Sequence, residues 1–303
     1  MRPIYDMTVI QIDITNACPL RCANCTRFVG HHKQSYFMDL DTVRKAIDSL
    51  EGFPGRIGLM GGEPAVHPQF REICQIYKDM IPNRRQRELW TSGYRWNEYK
   101  DIILDVFDTD RISYNDHTQF DGKHQPLMVA AKDVIDDEEL MWELIDDCWV
   151  QKQWSASITP KGAFFCEIAA AMSHLYGEEG PQGWPIEKGW WNKNPDQFGD
   201  QVKKACPNCS AAVPLPKVSD GRGGKDGPTT DWISQSVAEK LELARSPKYL
   251  REQVKIVDFK YTREDREKYG KDWHPSHYRG FVAHGPEDVQ TKHLKHDHVL
   301  PGS

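Results

Sequence analysis

The chain has no run of about 18 or more apolar residues, the length read as a membrane span. It opens on Met-Arg-Pro-Ile-Tyr-Asp, which lacks the apolar core of a secretory signal. Positive charge is not in excess: 39 Lys and Arg stand against 45 Asp and Glu, a net charge of −6. No global field therefore draws the chain to nucleic acid or to an anionic membrane. Internal repeats are absent, which excludes solenoids and propellers. The expectation is a cytoplasmic protein. Disulfides do not persist in that compartment, so the eight cysteines call for metal binding or catalysis.

Between residues 8 and 158, strand-like and helix-like pieces alternate. Strands are expected at 8–15, 56–60, 89–92, 111–114 and 154–158, and helices at 41–50, 68–80, 96–107 and 136–145. The second helix carries Phe70, Ile73, Ile76, Tyr77 and Met80 at helical spacing. This alternation predicts an α/β fold with a parallel sheet and crossover helices, open or closed as a barrel. Past 158 the texture changes. "SITPKGAFFC" reads as a hairpin turning at Pro-Lys-Gly, followed by a helix over 167–175. Residues 176–200 are loop-like, and Trp184, Trp190 and Trp191 within them fit a lid or a core equally. Residues 219–230 have connector composition, and 231–244 suggest a further helix.

Seven of the cysteines form two sets. Cys18, Cys22 and Cys25 sit on the loop after the first strand; Cys148, Cys166, Cys206 and Cys209 lie farther along. An odd, crowded set does not suit disulfides. Zinc remains open, because Cys-x2-Cys is a common zinc spacing. So does an iron–sulfur cubane, which takes one ligand per iron. Three thiolates would leave one iron free for a small molecule, whereas four would close every corner. Cys74, outside both sets, lies on an apolar helical face and reads as packing.

Cys18-x3-Cys22-x2-Cys25 after a first strand resembles the signature of the radical S-adenosylmethionine (radical SAM) superfamily. The resemblance extends to Gly61-Gly62-Glu63-Pro64 after the second strand, which matches the element that binds the SAM amino group. Thr91 and Ser92, and then Ser113 and Asn115, are similar to the polar strand ends that line the SAM site. Cys148, Cys166, Cys206 and Cys209, with Gly162 in a hairpin between the first two, resemble the Twitch auxiliary-cluster domain, a shortened SPASM domain. In cysteine spacing the chain resembles 2-deoxy-scyllo-inosamine dehydrogenases. Asn24 is a departure, standing where the superfamily usually has an aromatic residue.

The resemblance covers about 8–213. It implies a partial (β/α)6 TIM-like barrel over 1–150, its last strand at about 153–159, followed by a Twitch-type domain of hairpin plus helix over 148–215. A polar extension, 216–303, has no assigned role. The implied cofactors are a three-cysteine [4Fe-4S] cluster that binds SAM, a second, four-cysteine [4Fe-4S] cluster, and SAM itself. A flavodoxin or ferredoxin would supply electrons. The implied reaction cleaves SAM to a 5′-deoxyadenosyl radical, which takes a hydrogen atom from a small polar, sugar-like or aminocyclitol-like substrate. The auxiliary cluster then accepts an electron, giving net oxidation. Epimerisation, dehydration and peptide modification are alternatives within the superfamily; a metal-binding interaction module is the alternative outside it. Candidate catalytic residues are Arg27, just past the third cysteine, and Glu167, beside Cys166. Tyr94, Asp116 and His117 follow strand ends, where ligands of parallel sheets gather.

Overall fold

A computed structural model of the chain describes residues 1–114, 123–153, 156–215, 218–219, 230–270 and 282–283. Strand β1 (Val9–Asp13) is buried along its whole length. Successive residues of a strand face opposite sides. Ile10 and Ile12 therefore face one side, and Gln11 and Asp13 the other. Helix α1 (Leu40–Ser49) begins where the Asp39 carboxylate accepts the Thr42 N–H at 2.8 Å, a standard N-cap. Strand β2 (Arg56–Met60) leads to helix α2 (Phe70–Met80), which buries Phe70, Ile73, Cys74, Ile76 and Tyr77. The helical spacing of those apolar residues is thereby explained, and Cys74 is core. Strand β3 (Arg87–Thr91), helix α3 (Trp96–Val106) and strand β4 (Ile112–Tyr114) complete the alternating part.

Helix α4 (Glu138–Asp146) is capped by the Asp137 carboxylate. A short helix, α5 (Trp149–Gln153), starts directly after Cys148 and was not anticipated. The expected hairpin forms from strands β5 (Ser157–Thr159) and β6 (Gly162–Phe164), and helix α6 (Glu167–Tyr176) follows. Helix α7 (Gln201–Ala205) precedes the last two cysteines. The helix expected over 231–244 is corrected. Asp231–Ile233 is strand β7, and helix α8 (Gln235–Leu243) starts after Ser234. Buried Asp231 and Ile233 pair in parallel with strand β8 (Val254–Ile256), and this long-range pairing overrides the local helical pattern. A four-residue helix, α9 (Pro247–Leu250), joins α8 to β8.

With strand β9 (Val282–Ala283), the main sheet runs β9-β4-β3-β2-β1-β5-β6. The strands from β4 across to β5 pair in parallel; β6 and β9 are antiparallel edges. The α/β class and the parallel-dominated, partial-barrel layout are as expected. One face carries Ile10, Ile12, Leu59 and Leu89, which join the apolar faces of α1, α2 and α3 in the main core. Each fully buried side chain of this kind stabilises by roughly 1.5–3 kcal/mol. On the other face Gln11 is in register with Gly58 and Ser157, and Asp13 with Met60. Because β5 pairs with β1 on the side away from β2, strand order reverses at β1. Ligands of parallel sheets gather outside the carboxyl ends of strands at such reversals. Trp190 and Trp191 are buried, Trp190 donating to Ser49 Oγ at 3.2 Å, so these two tryptophans are core. No helix among the described residues is long and apolar enough to cross a membrane.

Candidate active site

The chain leaves β1 at the reversal point and enters the loop bearing Cys18, Cys22 and Cys25. Thr15 Oγ1 anchors the exit, donating to Tyr36 O at 2.6 Å and accepting the Ala17 N–H at 3.0 Å. The Gly61–Pro64 turn packs directly on this exit. Gly62 N donates to Thr15 O at 2.7 Å and Glu63 N to Ala17 O at 2.9 Å. A Cβ on Gly61, at φ 152°, would lie 2.2 Å from Thr15 O; one on Gly62 would lie 2.3 Å from Ala17 O. The glycines thus permit close approach to the cysteine loop's own backbone. Glu63 is fully buried and accepts from Thr91 Oγ1 at 2.8 Å, and from Ser92 N and Oγ at 2.7 Å each. Thr91 and Ser92 therefore hold the Glu63 carboxylate. Burial pushes its pKa up and these bonds pull it back, leaving it above the usual carboxylate value. Burial also pushes the Cys18 thiol up, as do its neighbours Cys22, Glu63 and Cys25. The three thiols and the Glu63 turn therefore form one electrostatic group.

Arg27 turns back onto the polar face of β1. It donates from Nε to Asp13 Oδ2 at 3.0 Å, from Nη2 to Asp13 Oδ1 at 3.3 Å, and also to Gln11 Oε1. Its Nη1 lies 2.9 Å from Glu167 Oε2. All three charged groups are buried, and Ser157 Oγ donates to Asp13 at 3.0 Å. Arg27 is two residues past Cys25 and Glu167 is one past Cys166, so this ion pair ties the two cysteine sets together. For Glu167, burial raises the pKa and the Arg27 charge lowers it, the net direction being upward.

Beside this pair a cleft is lined by Asp13, Arg27, His32, Tyr36, Thr159 and His174, among others. Tyr36 and His174 stack at 4.3 Å between ring centroids, and His174 Nε2 meets Thr159 Oγ1 at 3.0 Å. Burial pushes His174 down to about 3 and His32 to about 4, so both imidazoles are neutral at pH 7. Of these residues only Arg27 was read from the sequence. Asp13 carried one signal, an acid inside a strand otherwise made of Val, Ile and Gln. Tyr36, Thr159 and His174 come from three separate segments and carried none, and His32 offered only an imidazole close to the cysteine loop.

The second set converges on one cavity. Cys148, Cys166, Cys206 and Cys209 line it with apolar neighbours such as Ile145 and Phe165. Gln201 is fully buried and fixes α7 against the hairpin: its Nε2 donates to Ala163 O at 3.1 Å and its Oε1 accepts Phe165 N–H at 3.2 Å. Gln125 Nε2 donates to Ser210 O at 2.6 Å and to Val213 O at 2.9 Å, pinning the turn after Cys209. Burial raises all four thiols, Cys166 to about 12. Backbone amides oppose this at three sulfurs. Ile168 and Ala169 serve Cys166, Val150 and Gln151 serve Cys148, and the Ala211 N–H meets Cys209 Sγ at 3.3 Å.

Both sets fit iron–sulfur ligation. Amides aimed at sulfur favour the thiolate and tune a cluster, and metal binding releases the protons that burial keeps on these thiols. A tetrahedral zinc would hold its thiolates about 3.8 Å apart. Among the described residues no three His, Cys, Asp or Glu are grouped to hold a single ion. Four thiols lining one cavity can supply the four ligands of a cubane, one per iron. In the three-cysteine loop, Asn24 Nδ2 is buried without an acceptor among the described residues, leaving a donor for a bound group.

Tyr94 is half-buried in the turn before α3 and does not line the cleft. Ser113 shares a face with Trp90, its register partner, and meets Glu88 Oε1 at 3.5 Å. Glu167 sits behind Arg27 and does not line the cleft. Asn115, Asp116 and His117 lie outside the described residues.

No family model matches the chain, and no curated protein matches it. Among solved structures it is similar to BtrN in complex with AdoMet and 2-DOIA, at 16% identity and a TM-score of 0.42, covering 73% of this chain and 96% of that one. It is also similar to BtrN in an open conformation, at 16% identity and a TM-score of 0.40, covering 67% and 86%.

Proposed function

We propose that the chain is a radical SAM oxidoreductase acting on a small polar, sugar-like or aminocyclitol-like substrate. Cys18, Cys22 and Cys25 would hold the SAM-binding [4Fe-4S] cluster, and Cys148, Cys166, Cys206 and Cys209 an auxiliary [4Fe-4S] cluster. The observation that carries this reading is three thiols on one loop beside the Glu63 turn and four thiols lining one apolar cavity, joined by the buried Arg27–Glu167 pair. When bound, the first cluster and SAM supply a carbon-centred radical able to take a hydrogen atom from an unactivated carbon. The protein's residues then orient, exclude water and move a proton.

The Gly61–Pro64 turn, packed on the cysteine loop, is the element expected to meet the SAM amino group. Asp13 is the carboxylate that lines the cleft, and Arg27 fixes its orientation through two N–H donors. It would accept the hydroxyl proton of the carbon being oxidised. Tyr36, Thr159 and His174 offer hydrogen-bonding groups to a hydroxyl-rich ligand. Four thiolates leave an auxiliary cluster no free corner, which favours electron acceptance over substrate ligation and hence oxidation over dehydration. Residues 1–150 would form the core and 148–215 the auxiliary unit.

The test is anaerobic reconstitution. The protein should be brown, with about eight irons per chain, and should form 5′-deoxyadenosine from SAM and dithionite. Candidate aminocyclitols deuterated at single carbons should pass deuterium into it. A colourless protein with two zincs, or no 5′-deoxyadenosine, would overturn the reading.

A further inference from the structure

Residues 231–248 belong to the extension that matched nothing in the sequence, yet they reach the cysteine loop. Asp231 and Lys248 are buried, at 2% and 1% exposure. Lys248 Nζ donates to Asp231 Oδ1 and Oδ2 at 2.8 Å each, and to Cys22 O at 3.3 Å. All three ammonium donors are thus engaged. Asp231 also accepts Asn24 N–H at 2.5 Å and His31 Nε2 at 2.5 Å, and His31 Nδ1 meets Ser246 Oγ at 2.8 Å. Trp232 N donates to Asn24 Oδ1 at 3.1 Å, which fixes the orientation of that amide. Lys248 N donates to Gly30 O at 3.1 Å.

Asn24 itself has φ 52°. Asn tolerates the left-handed region far better than bulky residues do. The departure from the superfamily pattern has a physical reason. Phe28 in the same loop also adopts this region, at φ 51°, so the reason lies in the side chain: Asn24 Oδ1 accepts from Trp232 N, and a phenyl ring has no such acceptor.

We infer that Asp231 and Lys248 form a clamp from the C-terminal extension that positions the Cys22–Cys25 turn of the metal-binding loop. Both are positioning residues, acting through the loop backbone. Its effect on a cluster rests on the radical SAM reading; its effect on the loop does not.

Native-state hydrogen exchange on the metal-free full chain tests it. Backbone amides of 22–31 and 231–248 should open together, with one shared denaturant dependence. Independent opening of the two segments in the unmodified protein would overturn the proposal. In Asp231→Asn/Lys248→Met, which removes both charges while keeping side-chain size, exchange at 22–31 should rise about tenfold or more. Exchange around Cys166 and Cys209 should stay unchanged. After reconstitution this variant should lose at least half the iron of the three-cysteine site, and the SAM-induced change in the electron paramagnetic resonance spectrum with it. Wild-type exchange and a wild-type spectrum in the variant would overturn the clamp. A wild-type chain that builds no three-cysteine cluster would instead overturn the functional reading and leave the exchange test standing.

Discussion

The two cysteine sites differ in how their thiols are spaced along the chain and in what lines them. The first lies on one loop at a strand end, and its three thiols fall within eight residues of sequence. It is surrounded by polar groups: Glu63, Thr91, Ser92 and the Asp231–Lys248 pair. The second draws its thiols from three separate segments into an apolar cavity. Exposure does not separate them: Cys18 and Cys25 of the first and Cys148 and Cys206 of the second are partly exposed, while Cys22, Cys166 and Cys209 are buried. The first sets its thiols beside hydrogen-bonding groups that suit a polar ligand. The second is lined almost wholly by apolar groups and offers a ligand little besides its thiols. Arg27, two residues past Cys25, and Glu167, next to Cys166, couple them.

The most severe test removes one thiol from each site. Cys18→Ala should abolish 5′-deoxyadenosine formation and leave about four irons per chain. Cys166→Ala should also leave about four irons, but keep slow SAM cleavage without product. Equal loss of SAM cleavage in both variants, measured anaerobically with dithionite, would break the distinction.

Breaking the link comes next. Arg27→Met leaves Asp13 and Glu167 buried without their shared cation, which costs about 3–5 kcal/mol. Denaturant unfolding of the metal-free protein should record that loss. Arg27→Lys should recover part of the stability, since one ammonium cannot bridge Asp13, Gln11 and Glu167 as a planar guanidinium does. Full recovery by Lys would mean that charge alone suffices.

A third change acts on the three-cysteine site only. Gly61→Ala would set a Cβ 2.2 Å from Thr15 O, forcing the cysteine loop and the Glu63 turn apart at a cost of about 1–3 kcal/mol. Iron should fall at the three-cysteine site and persist at the other. Equal depletion of both sites, quantified by Mössbauer spectroscopy, would show that they are not independent.

The smallest effect concerns the cleft. His174 and His32 are depressed by burial to about 3 and about 4. Between those values and the ordinary histidine pKa the unfolded chain binds more protons than the folded one. Stability present above about pH 6.5 is therefore lost as pH falls toward 4. Each histidine contributes up to about 1.4 kcal/mol per pH unit in that window. His174→Phe should remove its share of the slope between pH 6 and 5, where most carboxylates are still ionised. An unchanged slope in urea titrations would mean that His174 is solvated.

How legible these features were depended on sequence distance. The strands at 56–60 and 112–114, the helix from Phe70 and the hairpin at Gly162 follow from local periodicity and turn residues. Helix α5 was missed because five residues carry too little pattern. The segment at 231–233 was misread as helix because its partner strand is more than twenty residues away.

The sequence by itself determined the two cysteine sets, the glycine turn and the alternating α/β plan, because each depends on residues close in the chain or on spacing alone. Only the tertiary structure decided that Asp13 faces a cleft, that Arg27 and Glu167 meet, and that Asp231 and Lys248 grip the loop around Asn24. Those contacts join residues 140 to 226 positions apart. Buried charges must find partners wherever the fold brings them, and no local pattern records which partner that will be.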